Sequence, residues 1–355
     1  MEQSTTLRVL GAIPVGLGPE AMALDSSRRR GYVACARSNT VAVFDLDRLT
    51  VLAEVPVGKE PIGLTWDPQT NRVFTTDART DTCSVVDAAS LEVLAQIPIG
   101  HYPAGNGIHI GRRKVYCGNT ADSTVSVVDA DQLEVITTIP AALAAGSITG
   151  DEQRDRAYCV NFGDASITVI DAATNENVGR IEVDYAPCKI SLDASAGLAY
   201  VANSLVSTVS VVDVARGKTI ATIPVERAPV GLVVSHDGSR LYVGNRGTGK
   251  VSIIDTKTRK EWARVPVGTA PGDIALDSVT GRVFASDAGD STLTVFEDRL
   301  TERPRELPKL PKDRSHPLVG RALPEFRLAD MADGRERTSG EWQGKSYILN
   351  FFASW

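Results

Sequence analysis

Hydrophobic and polar residues alternate in short stretches along this chain, and the stretches return at a fixed interval. The sharpest is 207–213, Ser-Thr-Val-Ser-Val-Val-Asp, whose closing acid recurs as Asp45, Asp87, Asp129, Asp171, Asp213, Asp255 and, changed to glutamate, Glu297. Each step is 42 residues, with no insertion. A second marker keeps the same step at Pro14, Pro56, Pro98, Pro140, Pro224 and Pro266, with Glu182 the exception. Strict alternation rich in β-branched residues predicts strands rather than helices. In the fifth copy four strands are expected over 189–192, 197–203, 208–213 and 218–224, with turn-forming residues at 193–195 and 214–217. No helix is required before residue 298.

A four-stranded unit of this length, repeated seven times, predicts an all-β fold, a seven-bladed β-propeller over residues 1–298. Residues 7–16 (LRVLGAIPVG) match 49–58 (LTVLAEVPVG) almost position for position, whereas the seventh copy has only three strands by Glu297. A strand over 7–14 is therefore expected to complete the last blade and leave no open sheet edge. The recurrent proline, lacking an N–H for the ladder, belongs on the outer strand.

Composition narrows the classes of partner. The net charge is −6 with acids and bases interspersed, so no sustained positive field is present and no nucleic-acid partner is expected. Nowhere do about 18 apolar residues run together, so no membrane segment is predicted. Residues 1–6 lack a basic and apolar leader, which as written places the protein in the cytoplasm; an extracytoplasmic location requires a start further upstream. The five cysteines form no C-x-x-C pair and no zinc-type spacing. Cys83 shares its register with Val41, Val125 and Val209, and Cys117 and Cys159 share theirs with Val33, Val201 and Val243. Equivalent strands of neighbouring sheets lie roughly 10 Å apart, beyond the roughly 7 Å that a disulfide spans, so reduced core thiols are expected.

Candidate sites come from two patterns. Ten residues before the marker acids stand Asp77, Asn119, Asn161, Asn203, Asn245 and Asp287, with Cys35 in the first copy. Such a polar ring suits a cation or polar ligand, although Asn and Asp at strand ends also satisfy local backbone groups in turns. The second pattern is departure from the repeat, since a copy kept only for folding has no reason to diverge. Lys59, Glu60, His101, Tyr102, Tyr185 and Arg227 interrupt small residues before the innermost strand, and Asn106, Lys189 and Asp273 are polar exceptions just inside it. These nine are expected at the channel mouth, where a protein or small-molecule ligand would bind. No catalytic constellation is evident, and no cofactor is implied. A His101/His109 metal pair lacks a third ligand.

The segments Tyr-Val-Ala-Asn at 200–203, Tyr-Val-Gly-Asn at 242–245 and Tyr-Val-Ala-Cys at 32–35, each followed by a V-x-V-x-D-like strand and an I-P-V-G-like segment, resemble the repeats of YVTN-family β-propellers across residues 7–298. The resemblance implies the fold and leaves the activity open. Residues 299–316 are rich in proline and charge and read as an extended linker. Within 317–355, G-x-x-x-P-x-F-x-L at 320–328, Asp-Gly at 333–334, Gly-Lys at 344–345 and the apolar run ending Phe-Phe-Ala-Ser-Trp at 351–355 come in the order seen at the start of thioredoxin-like proteins. The segment resembles the thiol reductase and peroxiredoxin group, in which a reactive cysteine follows. That resemblance implies a truncated thioredoxin-like domain, a parent that handles thiols or peroxides, and no thiol–disulfide activity in the 355 residues themselves. Two other readings stand beside it: a non-enzymatic binding propeller, and a propeller lactonase or lyase. The oligomeric state is left open.

Overall fold

Side chains that alternate along a strand point alternately to its two faces, and in every repeat both faces are covered by neighbouring blades. The consequence is visible in the second and third strands, which are buried almost throughout, as in Arg72–Asp77 and Thr82–Asp87. The outer strands, such as Thr50–Pro56, alternate between exposed and partly buried positions, with Val55 alone buried. The computed structural model describes residues 7–298, together with the backbone of 327–329 and 336–338. The chain divides into two units, 1–302 and 303–355. In the second, Arg327–Ala329 pairs antiparallel with Glu336–Thr338; the expected linker at 299–316 and the thioredoxin-like reading of 317–355 otherwise fall outside the described residues.

The first unit is a ring of seven four-stranded antiparallel sheets. Blades one to six cover 19–56, 61–98, 103–140, 145–182, 187–224 and 229–266. Blade seven takes its first three strands from 271–298 and its fourth from β1 (Leu7–Pro14), which pairs with β28 (Thr292–Asp298) from Leu7 opposite Asp298 to Pro14 opposite Thr292. The closing strand predicted from the sequence is thus in place. Among the described residues there is no helix, and so none long and apolar enough to cross a membrane.

Rows of equivalent side chains build the core. Tyr32, Phe74, Tyr116, Tyr158, Tyr200, Tyr242 and Phe284 form one buried row, and Ile13, Val55, Ile97, Ile139, Ile181, Ile223 and Val265 another. Each apolar cluster is shared by two neighbouring blades; at the seam, Ile13, Phe284 and Leu293 of blade seven pack with Met22, Val33 and Phe44 of blade one. Cations at the start of the second strand add a repeated tie. Arg30, Arg72 and Lys114 donate to the carbonyls of Ala88, Ala130 and Ala172 in the next blade at 2.6–2.9 Å. Arg282 makes the same bond across the seam, to Leu46 O at 3.0 Å.

Two turns of each blade open at one end of the central channel: the one entering it, 57–60 in blade two, and the one joining its second and third strands, 78–81. We call this end the upper face. The entering turn needs a left-handed residue just before the innermost strand. Gly18 supplies it in blade one, whereas Glu60 (φ 56°) and Tyr102 (φ 48°) accept it in blades two and three.

If the closing strand holds the ring as firmly as an internal one, Ile13→Ala should destabilise the protein as much as Ile223→Ala in blade five, by about 2–5 kcal/mol each. Urea unfolding of the two variants decides it. A near-neutral Ile13→Ala would show that blade seven closes loosely.

Candidate functional site

The polar ring lies inside the blades. Asp77, Asn119, Asn161, Asn203, Asn245 and Asp287 are all fully buried. Their partners are hydroxyls of the adjacent third strand rather than the turn backbone expected for such positions. Asn119 Nδ2 donates to Thr124 Oγ1 at 3.0 Å and Ser126 Oγ at 2.9 Å, and Asn203 Nδ2 donates to Thr208 and Ser210 at 3.1 and 2.9 Å. Asp77 Oδ2 accepts from Ser84 Oγ at 2.6 Å, and Asp287 Oδ2 from Thr294 Oγ1 at 2.6 Å. The hydroxyl in turn takes the N–H of the entering turn, as Ser84 does from Gly58 at 3.2 Å and Thr294 from Gly268 at 3.3 Å. Blade one confirms the logic by its double change: Cys35 needs no such partner, and the hydroxyl position opposite is Ala42. These six side chains are buried and bonded within their own blades.

The nine departures from the repeat separate into three groups. Asn106, Lys189 and Asp273 sit on innermost strands and line a narrow lumen of about 90 Å³. Lys189 Nζ reaches from blade five to Asp273 Oδ2 of blade seven at 2.8 Å, and the same oxygen accepts the Met22 N–H of blade one at 3.1 Å. Lys189 and Asp273 therefore form a strut across the lumen. Asn106 occupies the register of Leu64 and Ile148; its Nδ2 donates to Phe74 O of blade two at 2.9 Å, which ties two blades. On the same side the strands nearly touch, since a Cβ on Gly105 would stand 2.8 Å from Ser147 Cα.

His101, Tyr102, Tyr185 and Arg227 stand on upper turns. His101 Nδ1 lies 3.0 Å from Asp122, and Arg227 bonds Gly247 O of its own blade at 2.6 Å. Tyr185 is 68% exposed and is accompanied by Leu143, Phe162, Leu205 and Val206, all exposed, on the adjacent blades four and five. The register gives these positions to Lys59, Arg79 and Arg246 in other blades, so this is an apolar arc in place of charge.

Lys59 and Glu60 enter a third group, a basin of about 750 Å³ in the upper face between blades six, seven, one and two. Its charged lining is Arg37, Lys59, Arg79 and Arg246 against Glu20 and Glu60. Sequence reasoning overlooked four of these, Glu20, Arg37, Arg79 and Arg246. All are departures from the repeat, Arg37 and Arg79 falling where blades three to seven carry Ala121, Gly163, Leu205, Gly247 and Gly289. The register of the turn between the second and third strands singles out the three arginines, and that of the innermost strand singles out Glu20.

His109 is far from His101, at the lower end of the strand Pro103–His109, with Nδ1 3.1 Å from Glu152. Among the described residues no group of three or more His, Cys, Asp or Glu side chains is arranged to hold a metal ion. The five cysteines are free thiols, four of them buried. Burial pushes Cys35, Cys159 and Cys188 up to about 12, while Cys83 is raised by its hydrogen bond with Cys117 and by burial.

Comparison with solved structures finds the same fold in hydrazine synthase of Kuenenia stuttgartiensis, with a TM-score of 0.73 at 18% identity, over 84% of this chain and 99% of that one. At this identity the likeness shows the propeller fold alone. No protein-family model matches the chain, and no curated protein does.

Burial raises Asp77 and Asp287 above the ordinary aspartate value of about 3.9. A carboxyl raised in the folded state contributes stability below that ordinary value and loses it as pH rises through the folded value. Four other blades use Asn at this position. The double variant Asp77→Asn/Asp287→Asn should therefore melt above the wild type at pH 7, with the gap closing toward about pH 3.5. Thermal unfolding across that range checks it; a gap independent of pH would contradict the assignment.

Proposed function

We propose that residues 7–298 are a binding module that docks a protein partner on the upper face, through blades four and five. The observation that carries this is the apolar arc. Leu143, Phe162, Tyr185, Leu205 and Val206 are large, exposed and grouped on two adjacent blades, at positions where the repeat itself requires no apolar side chain. An exposed group of large apolar and aromatic residues on a rigid scaffold is the composition of a protein-binding core, with the neighbouring charges as its rim. His101 and Arg227, on turns of the flanking blades three and six of the same face, supply that rim.

The motifs at 320–355 support a finer version, in which this module serves a thiol- or peroxide-handling oxidoreductase and presents a partner to a thioredoxin-like domain. The repeat motifs likewise support placing the propeller with the YVTN-type propellers. In either version the thiol chemistry is foreign to the blades, because a thiol held near 12 is almost wholly protonated at neutral pH and the thiolate is the nucleophile. Sequencing the coding DNA beyond codon 355 tests the redox version, which requires an in-frame cysteine followed by a thioredoxin-like domain.

Two outcomes are expected. A partner captured from extract of the source cells and then purified should bind Leu205→Glu or Phe162→Glu at least about tenfold more weakly, as expected for hot-spot positions. It should bind Val279→Glu, an exposed position on the lower face, as it binds the wild type. Equal binding by all variants, or no partner retained, overturns the proposal. Separately, iodoacetamide at pH 8 should label none of the five thiols within minutes in the native protein and all five in denaturant. Rapid labelling of a native thiol would return redox chemistry to the propeller.

A further inference from the structure

We infer that the basin in the upper face between blades six, seven, one and two is a binding site for a small oxyanion carrying two or more negative charges. The chain as a whole is acidic, at −6, yet this cavity gathers four cations and two carboxylates. The two carboxylates are already engaged. Glu20 accepts from both terminal nitrogens of Arg246, at 3.1 and 3.2 Å, and Glu60 accepts from Arg79 Nε. What remains is the charge of Arg37 and Lys59, two positive charges in excess.

Neither of those two has an acidic partner among the described residues. Arg37 bonds only a carbonyl, Ala288 O at 2.6 Å, which fixes the guanidinium across the seam between blades one and seven and leaves its charge uncompensated. Lys59 is tied through its backbone N–H to Thr80 Oγ1 at 3.1 Å, and its ammonium is exposed. Both side chains stand over a floor of small residues, Gly18, Ala36, Ala270, Ala288 and Gly289, so a ligand can approach the backbone closely. A volume of about 750 Å³ lies within the range of small-molecule sites, roughly 300–1,000 Å³.

Folding does not account for this arrangement. The register of Arg246 holds Ala36, Ala78, Thr120, Phe162, Ser204 and Ala288 elsewhere, and that of Glu20 holds Ile62, Ala104, Gly146, Cys188, Val230 and Gly272. The Glu20–Arg246 pair spans blades one and six, on either side of blade seven, and presents a guanidinium held in place by its carboxylate. Guanidinium groups recognise phosphate and carboxylate through paired N–H donors, and clustered like charges raise the local anion concentration at low ionic strength. The chemistry required is therefore a phosphoryl or polycarboxylate group. This inference is independent of the apolar arc, which lies on other blades.

The test is calorimetric titration of the full chain with inorganic pyrophosphate and, separately, with citrate, at low ionic strength. One site should appear for at least one of them. It should weaken at least about tenfold in Lys59→Ala and in Arg37→Ala, as the loss of a charge-assisted hydrogen bond implies, and weaken further with added salt. Leu205→Glu should leave it unchanged, which separates this site from the protein-docking arc. Binding of pyrophosphate alone assigns a phosphoryl ligand, and binding of citrate alone a polycarboxylate. Lys59→Ala removes an exposed side chain without an acidic partner and should melt with the wild type; Arg37→Ala also gives up the bond to Ala288 O, so where it melts lower Lys59→Ala carries the test. Absence of binding by either anion at millimolar concentration, or binding that both variants retain in full, overturns the inference.

Discussion

The pairing of Leu7–Pro14 with Thr292–Asp298 is the contact on which the ring depends. A blade buries its two faces only against two neighbours, so an open ring would leave two sheet faces in water and an unpaired edge at each end. Closing it with a strand from the opposite end of the unit makes the first and last blades interlock. The seam is then tied three ways: by the β1–β28 ladder, by the shared cluster around Ile13, Phe44 and Phe284, and by Arg282 reaching Leu46 O. A fourth tie joins Arg29 of blade one to the buried Asp277 of blade seven at 2.9 Å. The seam is thus built like every other junction, with a strand supplied from the amino-terminal side.

A closed ring of equivalent units imposes its own discipline on polar groups. The entering turn of each blade carries N–H groups that the ladder cannot satisfy, and a hydroxyl on the third strand accepts one of them. That hydroxyl must itself be oriented, which the buried Asn or Asp of the second strand does. The relay gives these residues a structural reason to recur at the repeat interval. It also explains why Cys35 and Ala42 depart from the pattern together, since removing one partner alone would leave a buried polar group unmet.

Once symmetry accounts for the interior, what breaks symmetry stands out. The departures gather on the upper face and within the lumen beneath it, and they sort by blade: charge on blades six, one and two around the small residues of blade seven, apolar surface on blades four and five. The Lys189–Asp273 strut crosses the lumen between them. On the two proposals above, a plate with a cationic basin on one side and an apolar arc on the other would bring a small anion and a protein together.

The 42-residue interval, the strand alternation and the duplicate of blade one's outer strand at residues 7–16 determined the propeller, its blade number and its closure. They suffice because these features are local: periodicity sets which face a side chain takes, and a repeat sets what it meets. The same reasoning placed the cysteines in apolar slots and identified Lys59, Glu60, Lys189 and Asp273 as exceptions. It could not separate those exceptions, because residues in one register of different blades have equivalent environments along the chain but different neighbours around the ring. Whether Lys189 meets solvent or Asp273, 84 residues away, depends on the width of the lumen; whether Asn119 meets a ligand or Ser126 depends on how the third strand packs. Only the tertiary structure decided that Arg37 and Lys59 stand without acidic partners while Glu20 and Glu60 hold Arg246 and Arg79, since those pairings arise where ring closure brings blades six, seven, one and two around one cavity.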